Sequence, residues 1–189
     1  SSDLVFGARV DIAANAVSMG QPNLENVLHP WIRRSLPDGD WVLQTEVKLE
    51  KVQFGQFYTG LLVEADQGGN SFRYGIGFKD GDSIASLRVN PSGNSESLTT
   101  TPALESDLAV IRMEKKGNLL SFHWLQDGSF TQINQLTLPE GTTFSTGGVF
   151  ASTETEQSLE ASFDYAMLIS SSADFTSWMI ANGFADPDT

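Results

Sequence analysis

Arg73, Gly75 and Gly77 alternate along one short stretch, so they share a face if that stretch is a strand. A guanidinium beside two residues without side chains can meet a ligand lying against the backbone. The competing reading is a tightly packed or kinked sheet at the same glycines. Glu64 shares a face with Leu62 on the preceding apolar stretch and is expected to lie beside Arg73. There it would brace the sheet or serve a polar ligand. Arg112 and His123 fall on the mixed face of another segment. Their structural alternatives are a cross-strand brace for Arg112 and plain surface exposure for His123. Trp31 and Tyr58 sit near loop ends, where an exposed ring makes a flat platform and a covered one is rim packing. Flat rings, guanidinium forks and carboxylates together suit a hydroxyl-rich ligand. For metals, Asp38 with Asp40, Asp66 with Asn70, and Asp80 with Asp82 supply oxygen pairs in turns. Calcium takes about 6–8 oxygens, and turn aspartates have a backbone reason of their own. No metal ligands are assigned.

The elements that must hold these residues are strands. The stretch from Asp107 to Ile133 forms a two-stranded ribbon. With the turn at Lys116-Gly117, Met113 faces Leu120, Ile111 faces Phe122 and Ala109 faces Trp124, all on one side. Val110, Arg112, Ser121 and His123 take the other side. Sliding the turn to Gly117-Asn118 changes partners but not faces. Asp127-Gly128 closes the second strand. Trp41 to Lys51 alternates most cleanly, with Trp41, Leu43, Thr45, Val47 and Leu49 on one face and Gln44, Glu46 and Lys48 on the other. Further strands are expected over 4–12, 30–34, 57–65, 71–79, 84–89, 148–151 and 162–169, with a polar connection over 90–106. Many short strands separated by Gly/Asp turns imply an all-β, two-sheet antiparallel sandwich. The tail differs. Ser171 and Asp174 fit a helix cap, and Phe175, Trp178 and Met179 share one helical face. The expected division is a β-sandwich domain over 1–170, then a short C-terminal helix (Ala173 to Ala181) and the start of a linker over 171–189.

Composition narrows the function classes. The chain has 189 residues and 40% hydrophobic content, enough for one sizeable core. Its 24 acidic against 11 basic residues give a net charge of −13. That disfavours nucleic acid and anionic membranes as partners. No run approaches the ~20 apolar residues of a membrane-spanning helix. There is no cysteine, which removes disulfides, thiolate metal sites and thiol nucleophiles. Ser1-Ser2 looks like the edge of a mature product, and the composition suits a secreted or cell-surface bacterial protein.

The segment GLLVEADQGGNSFRYGI, from Gly60 to Ile76, resembles a hairpin of concanavalin A-like jelly rolls. LAVIRMEKKGNLLSFHWLQDGSF, from Leu108 to Phe130, is similar to the central ribbon of laminin-G-like modules on secreted bacterial glycosidases and lyases. Gln126 stands where that family usually has Ser, and Phe130 where it has Trp. Gly148 to Ala151 and Phe163-Asp164-Tyr165 resemble its closing strands. The tail is similar to junctions preceding aspartate-rich repeats in large secreted proteins. The resemblance implies a concanavalin A-like jelly roll and a non-catalytic carbohydrate-binding module, monomeric, flanked by other domains of its polypeptide. It would hold a polysaccharide or oligosaccharide through Arg73, His123, Arg112, Glu64, Trp31 and Tyr58. It also implies a structural calcium joining loops to the strand of Asp164, with ligands left unassigned. No cofactor is certain. Glucanases of this fold carry Glu-x-Asp-x-x-Glu on one strand, whereas here Lys48 separates Glu46 from Glu50. The Arg-x-Glu-x-Arg, Gln-Ile-His and Tyr-x-Lys-x-Gly strands of the fold's lyases are missing. The only histidines are His29 and His123. The expectation is therefore no enzyme. A spacer or protein-interaction module is the alternative, and a divergent lyase or hydrolase is the third reading.

Overall fold

The computed structural model describes residues 4–6, 10–15, 31–52, 57–66, 70–78, 86–91, 99–100, 104, 106–153 and 158–170. The described residues form strands β1 (Leu4–Phe6), β2 (Val10–Asn15), β3 (Trp31–Ser35), β4 (Trp41–Val52), β5 (Phe57–Ala65), β6 (Ser71–Phe78) and β7 (Ser86–Pro91). They continue with β8 (Thr99–Thr100), β9 (Leu108–Lys116), β10 (Leu119–Gln126), β11 (Ser129–Thr137), β12 (Phe144–Thr153) and β13 (Ser158–Ser170). A 7-stranded sheet runs β1-β13-β4-β9-β10-β11, and β2 joins the same edge of β13 that β1 occupies. A 6-stranded sheet runs β3-β12-β5-β6-β7-β8. All pairings are antiparallel. The all-β, two-sheet sandwich expected from the sequence is the fold.

The period-2 pattern explains the packing. Leu43 and Val47 of β4, Ile111 and Met113 of β9 and Phe122 of β10 are buried on the inner face of the larger sheet. Leu61 and Val63 of β5, Tyr74 and Ile76 of β6 and Val149 of β12 meet them from the smaller sheet. Rings interlock edge to face, Tyr74 with Phe122 at 5.4 Å and Trp41 with Phe144 at 5.5 Å. Tyr74 also carries a polar group through the core, since its hydroxyl donates to the His123 carbonyl at 2.8 Å and so joins the two sheets. Burial pushes its phenol well above the usual range.

The ribbon turns at Gly117-Asn118, the second of the two registers compatible with its pattern. Phe122 therefore faces Met113, Trp124 faces Ile111, and Leu120 faces Lys115. The Gly117 N–H donates to Asp40 Oδ1 at 2.7 Å, and Lys115 Nζ donates to the Gly39 carbonyl at 3.0 Å. Asp40 thus braces one turn against another. Among the described residues, no three His, Asp or Glu side chains converge to hold a metal ion. Asp80, Asp82 and the expected helix over 173–181 lie outside the described residues.

A third strand, β11, extends the ribbon beyond Asp127-Gly128. It is an edge, exposed at Ser129, Thr131, Gln132, Gln135 and Thr137, while Ile133 and Leu136 pack against the core. A bulge opposite Phe122/His123 interrupts it, and Asn134 Oδ1 accepts the Gln135 N–H at 2.7 Å.

Candidate functional site

The six candidate residues divide between the two sheets of the sandwich. Trp31, Tyr58, Glu64 and Arg73 belong to strands of the smaller sheet, whereas Arg112 and His123 belong to the larger one. No single site unites them.

On the smaller sheet the available groups are turned to packing. The Arg73 guanidinium lies over the Phe150 ring at 5.7 Å, and Phe150 is only 1% exposed. Tyr58 packs edge to face on Phe150 at 5.2 Å. Its hydroxyl lies 2.6 Å from the Arg88 carbonyl oxygen and 2.9 Å from that of Arg73, and can donate to either. Burial raises the Tyr58 phenol far above its ordinary pKa, an effect that the nearby Arg73 and Arg88 charges partly oppose. Glu64 shares the face of Arg73 but turns towards β12 and β3. It accepts from Thr146 Oγ1 at 3.1 Å and pairs with Arg33 at 3.7 Å, instead of meeting Arg73. The trough expected over Gly75 and Gly77 is filled. A Cβ on Gly77 would meet Arg88 Cδ at 2.7 Å and Tyr58 Cδ2 at 3.2 Å. A Cβ on Gly75 would overlap the Thr59 carbonyl. Trp31 opens β3 as the register partner of Phe150, and its side chain lies outside the described set.

The larger sheet presents a different surface. Gln44 of β4, Arg112 of β9, His123 of β10 and Gln132 of β11 are successive register partners, one per strand. Gln44 Oε1 accepts two bonds from Arg112, from Nε at 3.0 Å and from Nη2 at 2.8 Å. Gln44 Nε2 in turn donates to the Tyr165 hydroxyl of β13 at 2.7 Å. The amide is thus fixed in orientation by a donor on one side and an acceptor on the other. The Arg112 guanidinium also lies 3.6 Å from the centre of the Phe130 ring, a stacked cation–π contact. Burial draws its pKa down to about 10, opposed by Glu114 and Tyr165, and it remains charged at neutral pH. Two residues along each strand runs a more apolar row, with Val110 on β9, Leu125 on β10 and Phe130 on β11, all partly exposed. Glu46 and Tyr165 are its register partners on β4 and β13. Leu108, 41% exposed, adds to it.

His123 Nε2 lies 3.0 Å from Ser121 Oγ and 3.8 Å from Glu114 Oε2. Both neighbours approach the same nitrogen, so the three do not form a relay in which one ring nitrogen serves the hydroxyl and the other the carboxylate. Burial lowers the His123 pKa below its ordinary 6.5, an effect that Glu114 opposes and Arg112 reinforces. The native state therefore binds this proton less readily than the unfolded chain. Its contribution to stability is complete above pH ~6.5 and falls away as the pH drops through the lower folded value. The urea midpoint of the wild type is expected to fall more between pH 7.5 and 5.5 than that of His123→Gln. Equal falls would show that His123 titrates alike in both states.

Sequence reasoning reached Arg112 and His123 but passed over Gln44, Glu114, Phe130 and Tyr165 as site residues. Gln44 was legible only as part of a polar strand face, and Phe130 and Tyr165 only as strand markers. What joins them is register between strands far apart in the chain.

No family model matches the chain, and no curated protein matches it by sequence. Solved structures do share its fold. A GH43 protein from Bacillus licheniformis superposes with a TM-score of 0.64 at 11% identity, over 86% of this chain and 33% of that one. A functionally unknown protein from Saccharomyces cerevisiae gives 0.60 at 16% identity, over 75% and 73% of the two chains. An immunostimulatory antigen and pseudo β-1,3-glucanase of Mycobacterium tuberculosis gives 0.54 at 14%, over 86% and 75%. The chain spans about a third of the Bacillus protein. These likenesses establish the sandwich that the strand motifs suggested. They also correct one expectation. The structures sharing the fold are mostly described as glycoside hydrolases, so the absence of familiar strand motifs is no ground for setting catalysis aside. Groups able to hold or move a proton stand on the larger sheet's outer face, namely His123, Tyr165, Glu46 and Glu114.

Proposed function

We propose that this chain binds a polysaccharide on the outer face of its larger sheet, as one domain of a secreted or cell-surface carbohydrate-active protein of bacterial origin. The observation that carries this reading is the Arg112 guanidinium, clamped by Gln44 and stacked on Phe130, in a row of hydrogen-bonding side chains beside an apolar row. Sugars need both, a flat apolar surface for the ring face and fixed polar groups for the hydroxyls. Fixing the groups before binding lowers the entropy lost when they engage. The glycoside hydrolases among the structures of similar fold, and the laminin-G-like strand motifs, favour a carbohydrate as the ligand.

Affinity electrophoresis through gels containing xylan, arabinan or β-glucan tests the assignment. The wild type is expected to be retarded by at least one polymer. Phe130→Ala is expected to lose at least about tenfold in affinity, because ring stacking and the Arg112 contact disappear together. Arg73→Ala, on the opposite sheet, is expected to bind as the wild type does. Loss of retardation in Arg73→Ala with Phe130→Ala unaffected would move the site to the smaller sheet. No retardation by any polymer would favour a spacer or protein-interaction domain. Measuring release of reducing ends in the same samples shows whether the bound polymer is also cut.

A further inference from the structure

The two rows on the outer face of the larger sheet have a direction, and it bears on the kind of glycan that fits. This step rests on the binding reading above. The polar row of Arg112, His123 and Gln132 crosses β9, β10 and β11 at right angles to the strands, backed at the β4 end by the buried Gln44. Adjacent strands lie ~4.8 Å apart, so the row presents one side chain per interval over about 10 Å. That interval is close to the length of one sugar in an extended chain. The apolar row of Val110, Leu125 and Phe130 runs parallel to it, two residues away along each strand, or about 6.6 Å. A pyranose ring has that width. A sugar chain laid across the strands would rest its rings on the apolar row and turn one edge of hydroxyls towards the polar row. Laid along a strand, it would rest only one or two of its sugars on apolar side chains before reaching polar ones, as on β9, where Leu108 and Val110 give way to Arg112 and Glu114.

Charge selects further. Lys48, Arg112 and Lys116 are balanced on this surface by Glu46, Glu114 and the neighbouring Asp164, so there is no cationic excess, and the whole chain carries −13. Arg112 is already engaged with Gln44 and Phe130. A polyanion would find no net attraction here and a negatively charged chain around it.

We infer that the ligand is a neutral, unbranched, extended glycan that lies across β9, β10 and β11, one sugar to a strand. Isothermal titration with neutral β-1,4-linked xylo- and cello-oligosaccharides, from disaccharide to hexasaccharide, and with polygalacturonate tests this. Affinity is expected to rise with each sugar to the trisaccharide and then level. Gln132→Ala, an exposed change at the β11 end, is expected to weaken the trisaccharide about fivefold, the worth of one hydrogen bond. It should also bring the levelling one sugar earlier and leave the disaccharide unchanged. Levelling of the wild type at the disaccharide, or an equal loss at every length in Gln132→Ala, would overturn the crosswise orientation. Tighter binding of polygalacturonate, weakened by added salt, would overturn the neutral ligand while leaving carbohydrate binding in place. Failure of every glycan to bind would instead overturn the binding function itself.

Discussion

Gly75→Ala is expected to prevent cooperative folding. Gly75 of β6 and Gly60 of β5 are direct register partners at the centre of the smaller sheet. A Cβ at Gly75 would overlap the Thr59 carbonyl and come within 2.7 Å of the Gly60 Cα. These are backbone atoms in the middle of a ladder, so no side chain can swing away to make room. Gly60 itself holds φ at +150°, which side-chain-bearing residues rarely adopt, and its own Cβ would meet the Gly75 Cα at 2.6 Å. Relief requires the two strands to separate, with loss of ladder bonds and of packing under Leu61 and Tyr74. A cost of at least ~4 kcal/mol is expected, a large share of the ~5–15 kcal/mol that holds a domain together. Gly128→Ala makes the contrast. Its φ is +80° but nothing lies within 4 Å of an added Cβ. Strain alone should cost it about 1–2 kcal/mol. Urea unfolding followed by circular dichroism separates the two. A cooperative transition in Gly75→Ala with a midpoint near that of Gly128→Ala would show that β5 and β6 have slack at this point.

Arg112→Ala is expected to abolish polysaccharide binding while the domain still folds. The guanidinium is what orders the surface around it. Without it, Gln44 Oε1 loses two donors in a position only 9% exposed, and Phe130 loses the plane that covers one side of its ring. The stability cost should be about 1–3 kcal/mol, the penalty of an unsatisfied, largely buried acceptor. Affinity should fall by more than about tenfold, since the polar row loses Arg112 and the apolar row loses the guanidinium that holds Phe130. Arg112→Lys keeps the charge, but an ammonium neither lies flat on Phe130 nor forks onto Gln44. It should recover stability better than binding. If Arg112→Ala binds as tightly as the wild type, the guanidinium is a brace for the sheet and the ligand lies elsewhere.

The strands were legible where one face is buried and the other wet. β4 and β5 match their expected bounds closely because Leu43, Thr45 and Val47, or Leu61 and Val63, alternate with residues on the opposite face. β11 escaped notice for the converse reason. The bulge breaks its alternation, so that Phe130 faces outward while Ile133 and Leu136 pack on the core, and uncharged residues such as Gln132 and Gln135 suit a loop equally well. The site was legible in part. Arg112 and His123 could be placed on one face from spacing alone, since their ribbon is local. Tyr165 stands 121 residues from its partner Gln44, and no pattern within either strand announces the pair. The glycines of β6 show the limit of spacing from the other side. Alternation put Arg73, Gly75 and Gly77 on one face, but only the pairing with β5 and β7 reveals that the space at Gly77 is occupied by Tyr58 and Arg88 and that at Gly75 by the β5 backbone.

The placing of β13 has a consequence for how the chain is made. One edge of β13 carries both N-terminal strands, β1 and β2, and the other edge carries β4. During synthesis those three segments leave the ribosome long before residues 158–170, and none of them has its native neighbour on that side until then. A nascent chain halted before β13 would hold β4 with a bare edge and an N-terminal segment with nothing to pair with. Completion of the larger sheet is therefore a late event, and the many distant pairings place the domain among slow folders. In the interval the exposed edge of β4 is open to strands of other nascent chains, which makes translation speed and chaperone supply, as much as sequence, determinants of yield.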